Sequence, residues 1–475
     1  MDEAVTAPKK KKIRLVAVVF MMYMFISGGS WGLEDMIGGA GPGIALIILL
    51  VLPIIWAYPY GLICTELGAK YTEESGFYGW IRRALGKFAA FISGWSMTLA
   101  NFVDTAVYLV LSIEYLNAAL NIAFGIALTE EQRWIVGLLF VVAFCILNLR
   151  GIEALTFSTT ISAIMILLPF VVTILFAIPQ ITTNPFVPLF AHADAGVSGG
   201  VADINTALMI GLWMFMGYES IHSFSDEVEG AGPLISKAFM WAVPIAAVMY
   251  ILPTFLGLAV TGDWQNWSSG GPISFVEMGF MVGGNFLMVL FLVAGFVGNL
   301  GLYGSYLAFG ARVAADMADD KLFFKGFEKV SKKYNTPYVA IIAGAVVTGV
   351  LSYGSFADLI IIDVILLLIP VVIILISGIV LRFKDKDRTW APDVFRLKVS
   401  SKVFAVLGAV PILLALYAIA TTDAVSLLAG GACIAVGCVM YFVFPRMFNE
   451  KALAGAGAVE ALPETEDDAL CAKVD

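Results

Sequence analysis

Long apolar runs recur along the whole chain, and short polar segments separate them. Each run holds on the order of 20 residues, the length that an α-helix needs to cross the hydrocarbon core of a bilayer. The pattern therefore predicts an all-α integral membrane protein with about twelve transmembrane helices. The predicted spans are 14–38, 42–67, 88–120, 133–149, 155–179, 203–227, 237–261, 281–318, 337–353, 357–382, 402–421 and 426–446.

The composition agrees with a protein that lies in lipid. Of the 475 residues, 60% are hydrophobic and only 14% are charged. A soluble fold of this length cannot bury so much apolar surface, whereas lipid solvates it. We expect a basic cytoplasmic amino terminus over residues 1–13, a twelve-helix domain over 14–446, and a disordered acidic cytoplasmic tail over 447–475.

Lysine and arginine residues fall on one side of the predicted helices. With the amino terminus in the cytoplasm, Arg133 alone among the 28 Lys and Arg residues lies outside. A shift of one helix would scramble this separation. The positive-inside rule therefore predicts a multi-pass protein of the cell membrane with both termini in the cytoplasm.

Other function classes find little support in the sequence. The five Cys residues are scattered, without metal-ligand spacing or a disulfide framework. There are two His residues and no nucleophile elbow, which argues against an enzyme with catalytic residues. We expect no cofactor, no metal and no nucleic-acid partner. We expect the lipid bilayer to surround the protein. A channel would need pore-lining repeats or a filter, and neither is present.

Two predicted helices are interrupted by glycine, and they lie five helices apart. The first contains the run Ser27–Asp35, with three glycines and two carboxylates; the sixth contains Trp213–Ser220. Paired interruptions in corresponding positions of two five-helix halves indicate an inverted-repeat transporter with a midplane site. The alternative is that these glycines only allow close helix packing. We expect unwinding around Gly28–Gly32 and Phe215–Gly217.

Ionisable side chains at bilayer depth are costly, so each is a candidate functional residue. Glu34 follows the first break and could bind a substrate ammonium or take up a proton. Its alternative role is to cap the second half of the broken helix, a role that Asp35 fits at least as well. Asp363 is expected to face the outer vestibule.

Asp104 lies near the middle of the third predicted helix. Helical spacing places it on one face with Tyr108, Leu111 and Tyr115. An acid with a tyrosine one turn away is a plausible amine-binding surface, and a structural hydrogen bond to a neighbouring helix is the alternative.

Glu219 follows the break in the sixth helix, and it is our candidate for proton coupling. A carboxyl group in a low-dielectric setting favours its neutral form, so such a group can bind and release a proton during transport. His222, one turn further on, is expected to hydrogen-bond inside the bundle.

Backbone and aromatic groups at the breaks complete the candidate substrate site. Aromatic side chains can form a cation–π wall or an occluding gate over an ammonium group. The candidates are Gly28, Gly29, Ser30 and Trp31 at the first break, and Trp213, Phe215, Gly217 and Tyr218 at the second. Outside the site, Phe77–Leu85 predicts a short amphipathic helix on the cytoplasmic surface, and Lys321–Tyr334 looks similar.

The residues quoted above resemble the amino acid–polyamine–organocation superfamily, over nearly all of the chain outside its tails. The resemblance is strongest to the polyamine:proton symporter branch, whose Ser-Gly-Gly-Pro-x-Gly-[Val/Ile]-Glu break corresponds to Ser27–Glu34. The branch's Ala-Glu-Leu-Gly corresponds to Thr65–Gly68, and its Leu-Leu-Pro-Phe-Val-Val to Leu167–Val172. Together with the paired breaks, the resemblance implies a LeuT-type five-plus-five inverted repeat.

The sixth helix also resembles that of the bacterial arginine/agmatine antiporters of the same superfamily. That resemblance implies a gating aromatic at Trp213 and a proton-sensing acid at Glu219. The chain departs from the plant-type polyamine pattern at 215–216 and after Tyr218, where Asn and Trp are expected. It also lacks the usual Arg-Pro-x-[Lys/Arg]-[Val/Ile]-Pro stretch at Ala391–Arg396.

The sequence thus predicts a secondary transporter that moves small cationic, polyamine-like amines by alternating access, with a proton as the coupling ion. A substrate without a carboxylate suits Glu34, Asp104 and Glu219, which would repel an anion. The alternative is an amino acid transporter or an amino acid/amine exchanger. Symport and exchange are both open. The fifth helix has no Lys, and the coupling ion is therefore open as well.

Overall fold

The computed structural model describes residues 13–26, 29–71, 76–267, 274–353, 356–384, 395–422 and 424–448. Within these ranges the protein is built of helices and contains no β-strand, so the all-α prediction is confirmed. The α-helices are α1 Leu15–Ile26, α2 Leu33–Ala40, α3 Pro42–Leu52, α4 Tyr58–Lys70, α5 Gly76–Leu85, α6 Lys87–Phe124, α7 Glu130–Leu149, α8 Ile152–Ala177, α9 Gly196–Met214, α10 Ala231–Thr261, α11 Phe275–Asp319, α12 Tyr338–Leu351, α13 Phe356–Lys384, α14 Ser401–Thr421 and α15 Ala424–Phe448.

Most of these helices are long and apolar enough to cross a membrane. In the described part of the chain, nine helical segments meet that requirement by length and composition. They are Pro42–Lys70, Lys87–Phe124, Glu130–Leu149, Leu155–Gln180, Ala193–Met214, Ala231–Thr261, Phe275–Asp319, Asp363–Lys384 and Ser401–Thr421. Leu15–Ile26, Tyr338–Leu351 and Gly430–Arg446 are shorter apolar helices. The predicted tails, 1–13 and 447–475, lie almost wholly outside the described residues.

Helix α11, which kinks at Gly283 and Gly284, is the centre of the bundle and packs most extensively against α6 and α8. Glycines at every third position allow this close approach. A Cβ added at Gly295 would lie 2.6 Å from the ring of Tyr115 on α6, and one at Gly298 would meet Ile166 on α8. Small residues at such positions let helix backbones come together in the membrane. As a result, α6, α8 and α11 form a tight wall beside the candidate site.

Helical structure stops at both predicted breaks. The first described helix, α1, ends at Ile26, and α2 begins at Leu33; residues 29–32 between them are not helical. Helix α9 ends at Met214, residues 215–219 are irregular, and a 3₁₀ segment follows over Ser220–Glu227. These two interruptions bring non-helical backbone into the interior of the bundle.

One of the two predicted surface helices is present, and the other is not. Helix α5 matches the segment Phe77–Leu85, but most of its side chains are buried against α6 and α13. The interpretation of Lys321–Tyr334 as a similar helix is wrong, because it contains only a short 3₁₀ turn over Lys325–Glu328. Lys321 itself has a positive φ of 61°, which is incompatible with continuing α11.

Candidate functional site

A cavity of about 470 Å³ lies between the two breaks and is walled by α6, α10 and α11. At one end it reaches the protein surface, where Glu114, Ile122 and Glu277 line it and are exposed. At the other end its lining is buried and includes Asp104 and Glu219. We call these the open end and the closed end.

Packed aromatic rings seal the closed end. The ring of Phe25, in the last turn of α1, lies 5.6 Å from that of Phe224, 6.0 Å from Tyr306 and 6.3 Å from Phe309. The guanidinium of Arg312 stacks over the Phe224 ring at 4.2 Å, a favourable cation–π arrangement. This layer separates the cavity from the opposite face of the protein.

Ion pairs lie beyond the aromatic layer on the same side. Asp320, just after α11, accepts hydrogen bonds from the Tyr78 hydroxyl at 2.9 Å and from Arg82 at 2.5 Å, both on α5. Glu66 on α4 forms a buried ion pair with Arg382 at the end of α13. Burial of Tyr78, together with the neighbouring Asp320 carboxylate, raises the pKa of that hydroxyl well above its ordinary value.

Asp104 lies on the cavity wall with one side of its carboxylate unsatisfied. The side chain is 1% exposed, and its Oδ1 atom has no hydrogen-bond partner among the described residues. Tyr108, Leu111 and Tyr115 also line the cavity, as the helical spacing on α6 predicts. The Tyr108 ring packs 5.4 Å from that of Tyr306 across the cavity.

A second acid, Asp363 on α13, lies behind Asp104. The two carboxyl groups are close enough to interact, and Trp213 reaches Asp363 as well. Asp363 is fully buried, so the expectation that it faces an outer vestibule is wrong. The sequence shows Asp363 as an isolated acid in an apolar helix, but only the packing of α13 on α6 brings it to Asp104.

At the second break, Glu219 lines the cavity and is 3% exposed. It accepts a hydrogen bond from the hydroxyl of Tyr60 on α4. The break's freed carbonyl groups are bonded by two further side chains: Trp56 Nε1 donates to Phe215 at 2.8 Å, and the Tyr250 hydroxyl donates to Met214 at 2.9 Å. Such partners are needed because non-helical backbone at membrane depth must be satisfied internally.

At the first break, the polar side chains turn away from the cavity. The Ser30 hydroxyl donates to the Met249 carbonyl of α10 at 2.8 Å. The Glu34 carboxylate is 1% exposed and accepts hydrogen bonds from the backbone N–H groups of Gly32, at 2.9 Å, and Phe275, at 3.3 Å. Glu34 is not among the described residues that line the cavity.

Aromatic packing orders the first break. The indole of Trp31 lines the cavity and lies 4.9 Å from the ring of Tyr115 and 5.5 Å from that of Phe170. It folds back over Gly29, where an added Cβ would lie 2.6 Å from its Nε1 atom. The backbone at Gly29 can adopt its φ of 101° because glycine has no Cβ.

The predicted site residues divide into two groups. On the cavity wall lie Gly29, Trp31, Asp104, Trp213, Gly217 and Glu219. Behind the wall lie Ser30, Glu34, Phe215 and Tyr218, all of them buried. Gly28 falls outside the described residues. Sequence reasoning did not single out Trp56, Tyr60, Tyr250, Asn299 and Tyr306, because a lone polar or aromatic side chain within an apolar helix resembles ordinary packing.

Comparison with known proteins agrees with this architecture. The family model described as amino acid permease matches residues 14–448. The chain belongs to the amino acid permease family. The resemblance to the amino acid–polyamine–organocation superfamily is thereby confirmed, and the protein is a multi-pass membrane transporter rather than an enzyme.

Several relatives of this permease carry names that describe polyamine transport. It is 30% identical over 351 residues to "Polyamine transporter PUT1" of Oryza sativa subsp. japonica, a match that covers 74% of this chain and 63% of the rice protein. It is 27% identical over 382 residues to "Polyamine transporter RMV1" of Arabidopsis thaliana, covering 80% and 75%. An uncharacterized transporter of Mycobacterium tuberculosis is 24% identical over 357 residues, covering 73% and 76%.

Proposed function

We propose that this permease carries small cationic, polyamine-like amines across the cell membrane, with a proton as the coupling ion. The charge of the cavity carries the proposal. Its described lining includes Asp104, Glu114, Glu219 and Glu277 but no Lys, Arg or His. An anionic cavity of this kind favours a ligand with several positive charges and no negative one. The names of the rice and Arabidopsis relatives support the same substrate class.

The aromatic side chains of the cavity suit the same ligand. Trp31, Tyr108, Trp213 and Tyr306 line it beside the acids. The face of an aromatic ring attracts an ammonium group, most strongly where water is excluded. Between ammonium groups, the methylene chain of a polyamine can pack on the same rings. The wall therefore matches both parts of such a molecule.

Alternating access is supported by the difference between the two ends of the cavity. We infer that α1–α2 and α9 with its 3₁₀ segment are the broken first and sixth helices of a LeuT-type five-plus-five inverted repeat. With both termini in the cytoplasm, as the distribution of Lys and Arg favours, the open end faces outward and the aromatic layer around Phe25 is the inner gate. Inward opening would separate that layer.

Amino acid transport, or exchange of an amino acid for an amine, is the second candidate function. The description of the matched family favours it. The two candidates differ in one chemical respect, because an amino acid requires a cradle of donors for its carboxylate. Uptake of radiolabelled diamines and amino acids into proteoliposomes, with and without a proton gradient, distinguishes them.

The substitution Asp104→Asn tests the charge argument directly. It removes a charge-assisted contact worth about 1.5–3 kcal/mol, so the affinity for a diamine is expected to fall about 10- to 100-fold. Binding of a neutral amino acid, where measurable, should change much less.

A matched control for this test is Asp203→Asn. Asp203 is another buried acid, on α9, and it bonds the His192 backbone at 2.9 Å outside the cavity lining. We expect the control variant to keep its diamine affinity. Equal losses for the diamine and the neutral amino acid in Asp104→Asn would show that Asp104 has a structural role.

A further inference from the structure

The residue before α2 lines the cavity, and one of the protein's own carboxylates occupies its backbone donor. Gly32 lines the cavity, and its N–H group donates to Glu34 at 2.9 Å. The second Glu34 oxygen accepts the N–H group of Phe275, the first residue of α11, at 3.3 Å. Glu34 therefore joins the first break to α11 by hydrogen bonds at both of its oxygens.

In transporters with broken helices, a half-helix amino terminus of this kind is where an anionic substrate group binds. Free N–H groups and the positive end of the helix dipole hold the carboxylate of the substrate. In this permease the donor at Gly32 already has an anionic acceptor. A substrate carboxylate would have to displace Glu34 and leave a buried charge without its partners, which is strongly unfavourable.

Part of the space beside the first break is also filled. The Trp31 indole covers Gly29 and contacts Tyr115 and Phe170. Gly32 stays open to the cavity, so the engagement of its N–H group with Glu34 is what opposes an anion there. Across the same cavity, Asp104 supplies an acidic side chain to the wall. The cavity thus offers an acid for an ammonium, whereas its donor for an anion is taken.

We propose that Glu34 is a specificity-determining residue, whose carboxylate occupies the position that the α-carboxylate of an amino acid would take. The permease then accepts an amine and rejects the amino acid that differs from it only by a carboxylate. Glu34 acts through the backbone and does not contact the substrate. The inference rests on the proposed transport of cationic amines and names the residue that excludes amino acids.

Matched ligand pairs test this role. Putrescine and ornithine differ by one carboxylate, as do cadaverine and lysine, and their affinities are measured by competition binding to the purified full chain. The wild type should prefer each diamine. Glu34→Ala and Glu34→Ser vacate the donors, and each should raise the ratio of ornithine affinity to putrescine affinity at least tenfold. Asp35→Asn removes the neighbouring acid on α2 and should leave the ratio unchanged.

Two further measurements test whether Glu34 acts by occupying the Gly32 N–H group or by its negative charge. Glu34→Gln keeps a carbonyl oxygen for the Gly32 N–H group, so its ratio should stay within threefold of the wild type. Adding formate to Glu34→Ala supplies a free carboxylate to the vacated donors and should weaken ornithine binding, whereas the same concentration of chloride should not. If both vacating variants fail to fold, the Gln variant keeps the inference falsifiable, because a tenfold shift in its ratio would contradict occupancy.

The outcomes distinguish this inference from the proposed function. Folded Ala or Ser variants that bind putrescine with the wild-type ratio would overturn the role of Glu34 and leave amine transport standing. A wild type that binds ornithine as well as putrescine would overturn both. A wild type that prefers putrescine, together with vacated variants that admit ornithine, supports both.

Discussion

The two helix breaks meet in the middle of the bundle, and at both of them hydroxyl groups of other helices bond the freed carbonyls: Tyr306 bonds Phe25 at the first, and Tyr250 bonds Met214 at the second. The breaks differ in what their own polar side chains do. At the first break, side chains of the break reach outward: Ser30 bonds the backbone of α10, and Glu34 bonds the backbone of α11. At the second break, the acid of the break lines the cavity, and side chains of other helices bond both this acid and the backbone. Trp56 bonds the Phe215 carbonyl, and Tyr60 bonds Glu219.

This difference favours the second break as the place of the proposed proton coupling. The first break carries its own acid, fully engaged with backbone and turned from the cavity. The second break presents Glu219 to the cavity and depends on α4 and α10 for its bonds. A change in the charge of Glu219 therefore acts at once on the substrate space and on the contact with Tyr60. We expect protonation to act at the second break and exclusion of anions to act at the first.

The largest expected effect comes from Gly217→Ala. Gly217 has a φ of +94°, and an added Cβ would overlap the carbonyl oxygen of Phe25. Strain in the left-handed region costs about 1–2 kcal/mol and overpacking about 1–3 kcal/mol more, so we expect a large fall in melting temperature in detergent and loss of uptake.

Gly32→Ala at the first break is the matched control for that substitution. Its φ is also +94°, but the nearest atom to an added Cβ is Trp213 Cζ3 at 3.7 Å. It should show the backbone strain without the overlap, and hence a smaller fall in melting temperature. Equal destabilisation by the two substitutions would mean that the contact between the breaks is not tight.

The next effect concerns pH. Glu219→Gln resembles the protonated acid, so substrate binding should remain measurable while the pH dependence of uptake is lost. The titratable groups that interact with Glu219 are Tyr60, Cys64, Tyr218 and Tyr306. Their ordinary pKa values lie at about 8.5 or above, far from the ordinary value of a carboxyl group, about 4.3.

Tyr60→Phe serves as the control for the pH experiment, since it removes the hydrogen bond to Glu219 and keeps the acid. This variant should shift the pH midpoint of uptake without abolishing the dependence. A Gln variant with the full wild-type pH profile would exclude Glu219 as the coupling group, and Glu34 would be examined next.

The smallest effect is expected from Trp56→Phe. It leaves the buried Phe215 carbonyl without its donor, at a cost of about 1–3 kcal/mol. We expect a modest fall in melting temperature and a clear fall in uptake, because the lost bond supports the second break.

Trp134→Phe removes a comparable bond of 2.8 Å, to the Gly349 carbonyl, away from the breaks. It should lower stability to a similar degree but leave uptake near the wild-type rate; similar uptake in the two variants would contradict the importance of the bond between Trp56 and Phe215.

What the sequence could predict follows from the range of the interactions. Apolar runs predict the helices because lipid stabilises apolar side chains along the whole length of a transmembrane span. The shared face of Asp104 and Tyr115 follows from helical periodicity, which acts within one helix. The breaks are visible because glycine is needed where the backbone leaves the helix.

The remaining features depend on contacts between distant parts of the chain. Trp56 and Tyr60 lie 159 positions from the break residues that they bond. Asp363 meets Asp104 only because α13 packs on α6. The orientation of Glu34 was equally hidden, since an acid after a glycine break can face a ligand or its own backbone. Only the structure shows that the Glu34 carboxylate accepts hydrogen bonds from backbone N–H groups.

Helix α6 also sets the distance between two acids that line the cavity. Asp104 and Glu114 both line it, ten positions apart, which corresponds to about 15 Å along the helix axis. Glu114 is paired with Arg133 at the rim, where both side chains are partly exposed, and such a surface pair is worth only about 0–1 kcal/mol. An arriving ammonium can therefore replace Arg133 there. A long linear amine, of the class proposed as substrate, would reach Asp104 with its leading end while its trailing end still lay at the rim. A short one would have to release Glu114 first. The distance between Asp104 and Glu114 would then select among amines. The spacing of ammonium groups along the amine would determine whether entry takes one continuous step or two.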